Sequence, residues 1–208
     1  MITMKTPGAN KRRPGRPLSF DREKALHKAM VQFWRTGYET TSVSALTRAM
    51  EITAPSLYAA FVDKETLFLE TLHRYGTLGP KTARETIREA PSAREAARRL
   101  LEGSAHWFTQ EDTPSGCLVA SAASTGSDTS SRVRDALRQA RCEIQDALQE
   151  KAQQDIQCGR LPKVANAFAL SAMTVALIQG MSTLARDGAS RTDLLQMVDA
   201  LMAAWPSA

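Results

Sequence analysis

Aromatic residues are scarce in this chain, at 6% of 208 positions, and no segment alternates apolar and polar residues over a strand's length. Alternation with period two marks a half-buried strand, so its absence favours an all-α protein. Only three cysteines are present: Cys117, Cys142 and Cys158. If Cys142 and Cys158 share one helix they sit roughly 24 Å apart, beyond disulfide reach; reduced thiols in a cytoplasmic protein are expected. The three histidines, at 27, 73 and 106, match no metal-ligand spacing, and there is no glycine-rich phosphate loop or nucleophile elbow. No catalytic residue, metal or cofactor is expected. The basic, polar N-terminus lacks the apolar core of a signal peptide. The longest uncharged run, residues 164–185, contains six polar residues and six alanines. That leaves too little hydrophobicity for a bilayer span, so a buried or interfacial helix is expected and no membrane partner.

What the chain does have is 43% hydrophobic residues, enough for a folded core, and an uneven charge. The net +5 is concentrated at one end: residues 1–64 carry +6, and residues 65–208 carry −1. A basic end joined to a neutral body is what a nucleic-acid-binding head on a separate helical domain would show.

Residues 1–18 hold five Lys/Arg, no acid, three prolines and two glycines, and are expected to be a disordered basic arm. The core Arg13-Pro14-Gly15-Arg16-Pro17 resembles the AT-hook, an extended peptide lying in the narrow minor groove of A·T-rich DNA. Arg12, Arg13 and Arg16 are then the minor-groove residues. The alternative is a plain basic tail, which still adds salt-sensitive affinity.

Residues 19–64 are expected to form a helix-turn-helix DNA-binding domain. Asp21 begins a first helix running to about Thr36, with Phe20 packing on Ala25 and Gly37 as the stop. Within Thr41–Lys64, Val43, Leu46 and Met50 mark one face of a short helix, and Leu57 and Phe61 hold the next. Thr53 can cap that second helix, and Pro55 is tolerated in a first turn that has no N–H bond to lose. Small hydroxyl residues at the start and Tyr58 on the outer side suit insertion into a major groove. Asp63 caps a fourth helix striped by Leu67, Phe68, Leu72 and Tyr75.

Phe33, Gly37, Tyr38, Thr41, Ser42, Val43, Leu46, Ile52, Pro55, Ser56, Leu57, Tyr58, Phe61, Lys64, Leu67 and Phe68 together make residues 20–75 resemble the DNA-binding domain of the tetracycline-repressor (TetR) family of bacterial regulators. The resemblance implies a three-helix head, a linking fourth helix, a larger helical ligand-binding and dimerisation body over residues 65–208, and a homodimer whose last two helices form a four-helix bundle. Base contacts are expected from Thr53, Ala54, Pro55, Ser56 and Tyr58, and phosphate contacts from Thr41, Ser42, Ser44 and Lys64. Two departures matter: Glu51 stands where the family commonly has glycine in the turn, and Ala54 where many members carry a longer polar residue.

In the body, Ala172, Ala176 and Gly180 lie four apart on one helix face, where another helix could approach closely. Leu194, Val198, Leu201 and Trp205 stripe the last helix; together these seven are the expected dimer interface. The alternative is that 164–185 is the monomer's own central helix. His106, Trp107, Phe108, Cys117, Met173 and Gln179 are the expected lining of a mostly apolar effector pocket, although each alone also fits ordinary core. The expected function is a repressor that reads a near-palindromic double-stranded operator through two heads about 34–36 Å apart and releases it when a small effector shifts the linker helix. The alternatives are a thiol-sensing regulator acting through Cys117 or Cys142, and an effector-independent architectural DNA binder. Removing residues 1–17 should weaken DNA binding and flatten its salt dependence; a titration repeated at several salt concentrations checks this.

Overall fold

The computed structural model describes residues 20–78, 81–122 and 130–207. The basic arm, with the expected minor-groove residues Arg12, Arg13 and Arg16, lies outside these. Ten helices and no strand occur among the described residues: α1 (Arg22–Thr36), α2 (Val43–Met50), α3 (Ala54–Phe61), α4 (Lys64–Gly76), α5 (Ala83–Glu89), α6 (Ala93–Phe108), α7 (Leu118–Ala122), α8 (Ser131–Gln157), α9 (Ala167–Arg186) and α10 (Arg191–Ala203). The short helix α5 was not anticipated from the sequence. Ile87 is its one fully buried residue, too thin a stripe for periodicity to register. The available signal was its capping box, in which the Thr82 hydroxyl accepts from Glu85 N and the Glu85 carboxylate accepts from Thr82 N.

Helices α1 to α4 wrap around Met30, Phe33, Leu46, Leu57, Phe61 and Phe68, all essentially solvent-free. The same cluster continues into Leu118, Ala122, Val133 and Leu137 of the body, so residue 64 is not a packing boundary. Salt bridges bracket α4 against α1: Arg22 pairs with Glu70 at 2.7 Å while lying 4.4 Å over the Phe61 ring, and Arg74 pairs with Glu23 at 2.7 Å. Glu65 at the start of α4 meets Arg132 and Ser130 at the start of α8.

A second cluster fills the body, between α5, α6, α8, α9 and α10. It corrects part of the dimer expectation: Leu194, Val198 and Trp205 are at most 5% exposed within the subunit, packed in this core. Their stripe is real, but the subunit's own α6 already covers it. Leu201 is half-buried. By length and composition α9 is apolar enough to cross a bilayer, which corrects the expectation of too little hydrophobicity; it nevertheless packs on α6, α7 and α8, as expected of a buried or interfacial helix.

An aromatic seam joins head to body. The Trp34 indole lies against Tyr75 (centroids 4.9 Å) and stacks on Trp107 (5.9 Å), and Trp34 Nε1 donates to the Gly116 carbonyl at 3.0 Å. Arg186, from the end of α9, donates to the Trp34 and Arg35 carbonyls at 3.3 and 3.0 Å. These carbonyls end α1 and have no intrahelical partner of their own. Gly116 makes this approach possible. Its φ is +80°, and a Cβ there would fall 2.7 Å from the Ser182 carbonyl and 2.8 Å from Arg186 Cγ. Gly116→Ala should cost about 2–4 kcal/mol from backbone strain and overpacking, read as a lowered urea midpoint at unchanged slope.

Candidate nucleic-acid interface

The expected groove-reading surface forms as a contiguous exposed face. Thr53 caps α3, its hydroxyl accepting from Ser56 N at 3.3 Å and lying 2.9 Å from Ser56 Oγ. Thr53, Ala54, Pro55 and Tyr58 are exposed and Ser56 is half-buried, while Leu57 and Phe61 on the opposite face are solvent-free. Tyr58 is 48% exposed, so its ring is not a core residue. The base-facing set is thus brought together on one side of α3.

The phosphate set divides. Ser42 and Ser44 are exposed, with Ser42 capping α2 by accepting from Ala45 N at 3.1 Å. Lys64 is half-buried, its ammonium 4.4 Å over the Tyr38 ring and donating to the Glu39 carbonyl. Burial holds its pKa below the usual lysine value, with the Glu39 carboxylate offsetting only part of that. The expectation for the Thr41 side chain is corrected. Thr41 is 1% exposed, and its hydroxyl is taken up by the Gly37 carbonyl and the Thr36 hydroxyl. It holds the α1–α2 turn closed.

Both non-glycine turns in the head carry positive φ. Glu51 ends α2 in the left-handed region (φ 58°, ψ 40°), and its carboxylate pairs with Lys28 of α1 at 2.7 Å. That pair neutralises an acid beside the exposed start of α3. Val62, between α3 and α4, has φ 68° and ψ −62°, with Asp63 N donating to Phe61 O at 2.7 Å. This is a tight γ-turn that a β-branched residue adopts only under strain. The following Asp63 caps α4 by accepting from Thr66 N, which holds its carboxyl below the usual range. The cap's contribution is therefore present at neutral pH and lost as pH falls through that lowered value.

The expected effector lining is not brought together. His106 is exposed, its Nδ1 on the Glu102 carbonyl, and Met173 is 51% exposed on the outer face of α9. Gln179 is half-buried. Phe108 and Cys117 are core, and Trp107 belongs to the seam. Tyr75 donates its hydroxyl to Cys117 Sγ (3.4 Å) and receives the Trp107 indole N–H (3.0 Å); burial pushes its pKa well up, with the neighbouring thiol adding to it.

Two arginines went unread in the sequence. Arg48 is exposed at the end of α2, and its guanidinium has no partner among the described residues. Arg141 is half-buried on α8 between Leu137 and Ile144, with a buried Nη1 from which no group accepts among the described residues. Both look like solvated helix charges until burial and partners are known. Among the described residues no His/Cys/Asp/Glu cluster could hold a metal ion.

Residues 25–71 match the family described as bacterial regulatory proteins, tetR family, and residues 93–205 match the tetracyclin repressor-like, C-terminal domain. The HTH-type transcriptional repressor ComR of Escherichia coli (strain K12) is 36% identical over 212 residues, covering 99% of this chain and 98% of that protein. The repressor BdcR of the same organism is 33% identical over 119 residues, covering 57% and 58%. Among solved structures, a cysteine-substituted form of the TetR family regulator CifR, complexed with 26-bp double-strand operator DNA, superposes with a TM-score of 0.85 at 42% identity, covering 92% of this chain and all of that one. The reduced form of E. coli NemR shares the fold (TM-score 0.72, 19% identity, 90% and 98% covered). Val62→Gly should relieve the γ-turn and raise Tm by about 2–4 °C, a net gain of about 1 kcal/mol after the glycine's added freedom in the unfolded chain, measured by thermal denaturation. Head and body together place the chain in the TetR family of bacterial transcriptional regulators.

Proposed function

We propose that this regulator is a homodimeric, cytoplasmic repressor that reads a near-palindromic double-stranded operator and releases it when a small, mostly apolar effector binds the body. The observation that carries the reading is the face of α3, where Thr53, Ala54, Pro55 and Tyr58 stand exposed over the buried Leu57 and Phe61. Small residues at the helix start allow close approach to bases, and Ala54 and Pro55 offer van der Waals contact to thymine methyls. Ser42, Ser44 and Lys64 position the head on phosphates, and Arg12, Arg13 and Arg16 extend it into the minor groove. The names of ComR and BdcR as repressors, and the operator complex of CifR, support the same assignment.

For the dimer, the outer face of α9 offers Phe168, Ala172, Met173, Ala176, Gly180 and Leu184, with the three small positions exposed or half-buried. Their small side chains would let a partner helix come close. For effector control, the route is α4. It bears Tyr75 at the seam, is bracketed to α1, and contacts α8. A coupling of only about 1–3 kcal/mol gives a roughly 5–150-fold change in DNA affinity. Arg141, with its unaccepted N–H, would anchor a polar or acidic end of such a ligand.

A second reading is favoured by one contact: Cys117 Sγ receives the Tyr75 hydroxyl inside the seam. Oxidation there would place a polar group between Tyr75 and the body and move the same linker. Cys142 is only half-buried on α8 and has no comparable contact to the head among the described residues.

The test is binding to DNA upstream of the protein's own gene, titrated against salt. Saturable, sequence-selective binding by a dimer is expected, whereas equal binding to random DNA would falsify operator reading. Tyr58→Ala should cost about 1–2 kcal/mol on the specific site and little on random DNA. Lys64→Ala should weaken both alike and lower the salt slope by about 1.

A further inference from the structure

We infer that Arg48 reads a guanine in the operator from outside the recognition helix, and that the Lys28–Glu51 ion pair keeps it free to do so. This rests on the operator-reading role proposed above. Ser44, Thr47, Arg48, Glu51, Ile52 and Thr53 line an open hollow of about 420 Å³ between the outer face of α2 and the start of α3. One wall is Thr53, the cap of the helix end that faces the bases, and the other is Ser44, on the phosphate-facing side.

Three of the polar side chains lining the hollow are occupied. Thr47 donates its hydroxyl to the Ser44 carbonyl, Thr53 is engaged with Ser56, and Glu51 is paired with Lys28. The small Ser44 hydroxyl and the Arg48 guanidinium are the exceptions; Arg48 is exposed, and no carboxylate or other partner holds it among the described residues. Its position in the last turn of α2 favours a cation through the helix dipole. A planar guanidinium presents two parallel N–H donors that match O6 and N7 of guanine, the commonest specific contact in the major groove.

Glu51 would ordinarily cancel this group. It lies three residues after Arg48, the spacing at which opposite charges pair along a helix. The left-handed backbone at Glu51 ends the helix there, and its carboxylate sits on Lys28 of α1 instead. The strained turn and the Lys28 contact therefore hold the acid off the reading arginine. Glycine would satisfy the backbone equally well, so the acid is tolerated only while Lys28 holds it.

The experiment is selection of binding sites from a random-sequence duplex library, with sequencing of the enriched pool, for the wild type, Arg48→Ala, Arg48→Lys, Lys28→Ala and the double variant Lys28→Ala/Glu51→Gly. All changed side chains are on the surface, and circular dichroism melts confirm that each variant folds. The wild type should enrich a two-fold-related site. Arg48→Ala should lose the preference for guanine at one symmetric pair of positions, keep the rest, and bind the wild-type site about 5- to 150-fold more weakly. Lysine should not restore it, because an ammonium lacks the paired donors. Lys28→Ala should blunt the same positions, and adding Glu51→Gly should recover them. An unchanged consensus for Arg48→Ala overturns the inference, as does equal weakening on selected and random DNA that lysine repairs, which marks a phosphate contact. Failure of Glu51→Gly to rescue Lys28→Ala overturns the role given to the ion pair. A wild type that enriches no site overturns operator reading itself, and this inference with it.

Discussion

The end of α1 is held by groups far from it in sequence, and much of the molecule depends on that grip. Trp34 is nearly solvent-free, its indole N–H satisfied by the Gly116 carbonyl, and the carbonyls of Trp34 and Arg35 are satisfied by Arg186. A helix end buried without such partners would carry the full desolvation cost of its orphan carbonyls. Because the partners come from the loop before α7 and from the end of α9, the head's first helix and the body's central helix are coupled rigidly. Tyr75 and Trp107 complete the seam and bring the linker helix into it. A displacement in the body thus has a short mechanical route to the head.

The turns of the head show a different balance. Besides Gly37, positive φ occurs there at Glu51 and Val62, neither of them glycine. Strained backbone persists only where surrounding structure over-determines it. Here Phe61 and Leu57 in the core, Asp63 at the α4 cap and Lys28 on Glu51 supply that constraint. The head is held by packing on its inner side and by charge pairs at its rim, and the pairs also decide which cations remain free.

Much of the head was legible because its signals are local. Asp21, Thr53 and Asp63 all cap the helices expected of them, and their side-chain acceptors meet N–H groups two or three residues on. The exposed set on α3 followed from two buried positions, Leu57 and Phe61. The failures were of another kind. Thr41 reads as a surface hydroxyl, yet Gly37 and Thr36 enclose it. Leu194, Val198 and Trp205 form a correct apolar stripe, but periodicity does not say whose helix covers it. Met173 sits beside apolar neighbours in sequence and still faces outward, because its direction is set by where α9 meets α8 and α6.

Sequence alone determined the helical class, the limits of most helices, the polarity of charge between head and body, and the side of α3 that faces out. These depend on capping, periodicity and composition, which act within a few residues. Only the tertiary structure decided which apolar stripes are core, that Trp34, Tyr75, Trp107 and Gly116 meet, and that Glu51 pairs with Lys28 and leaves Arg48 unpaired among the described residues. Those depend on contacts between residues tens of positions apart, whose distances and partners follow from how the helices pack.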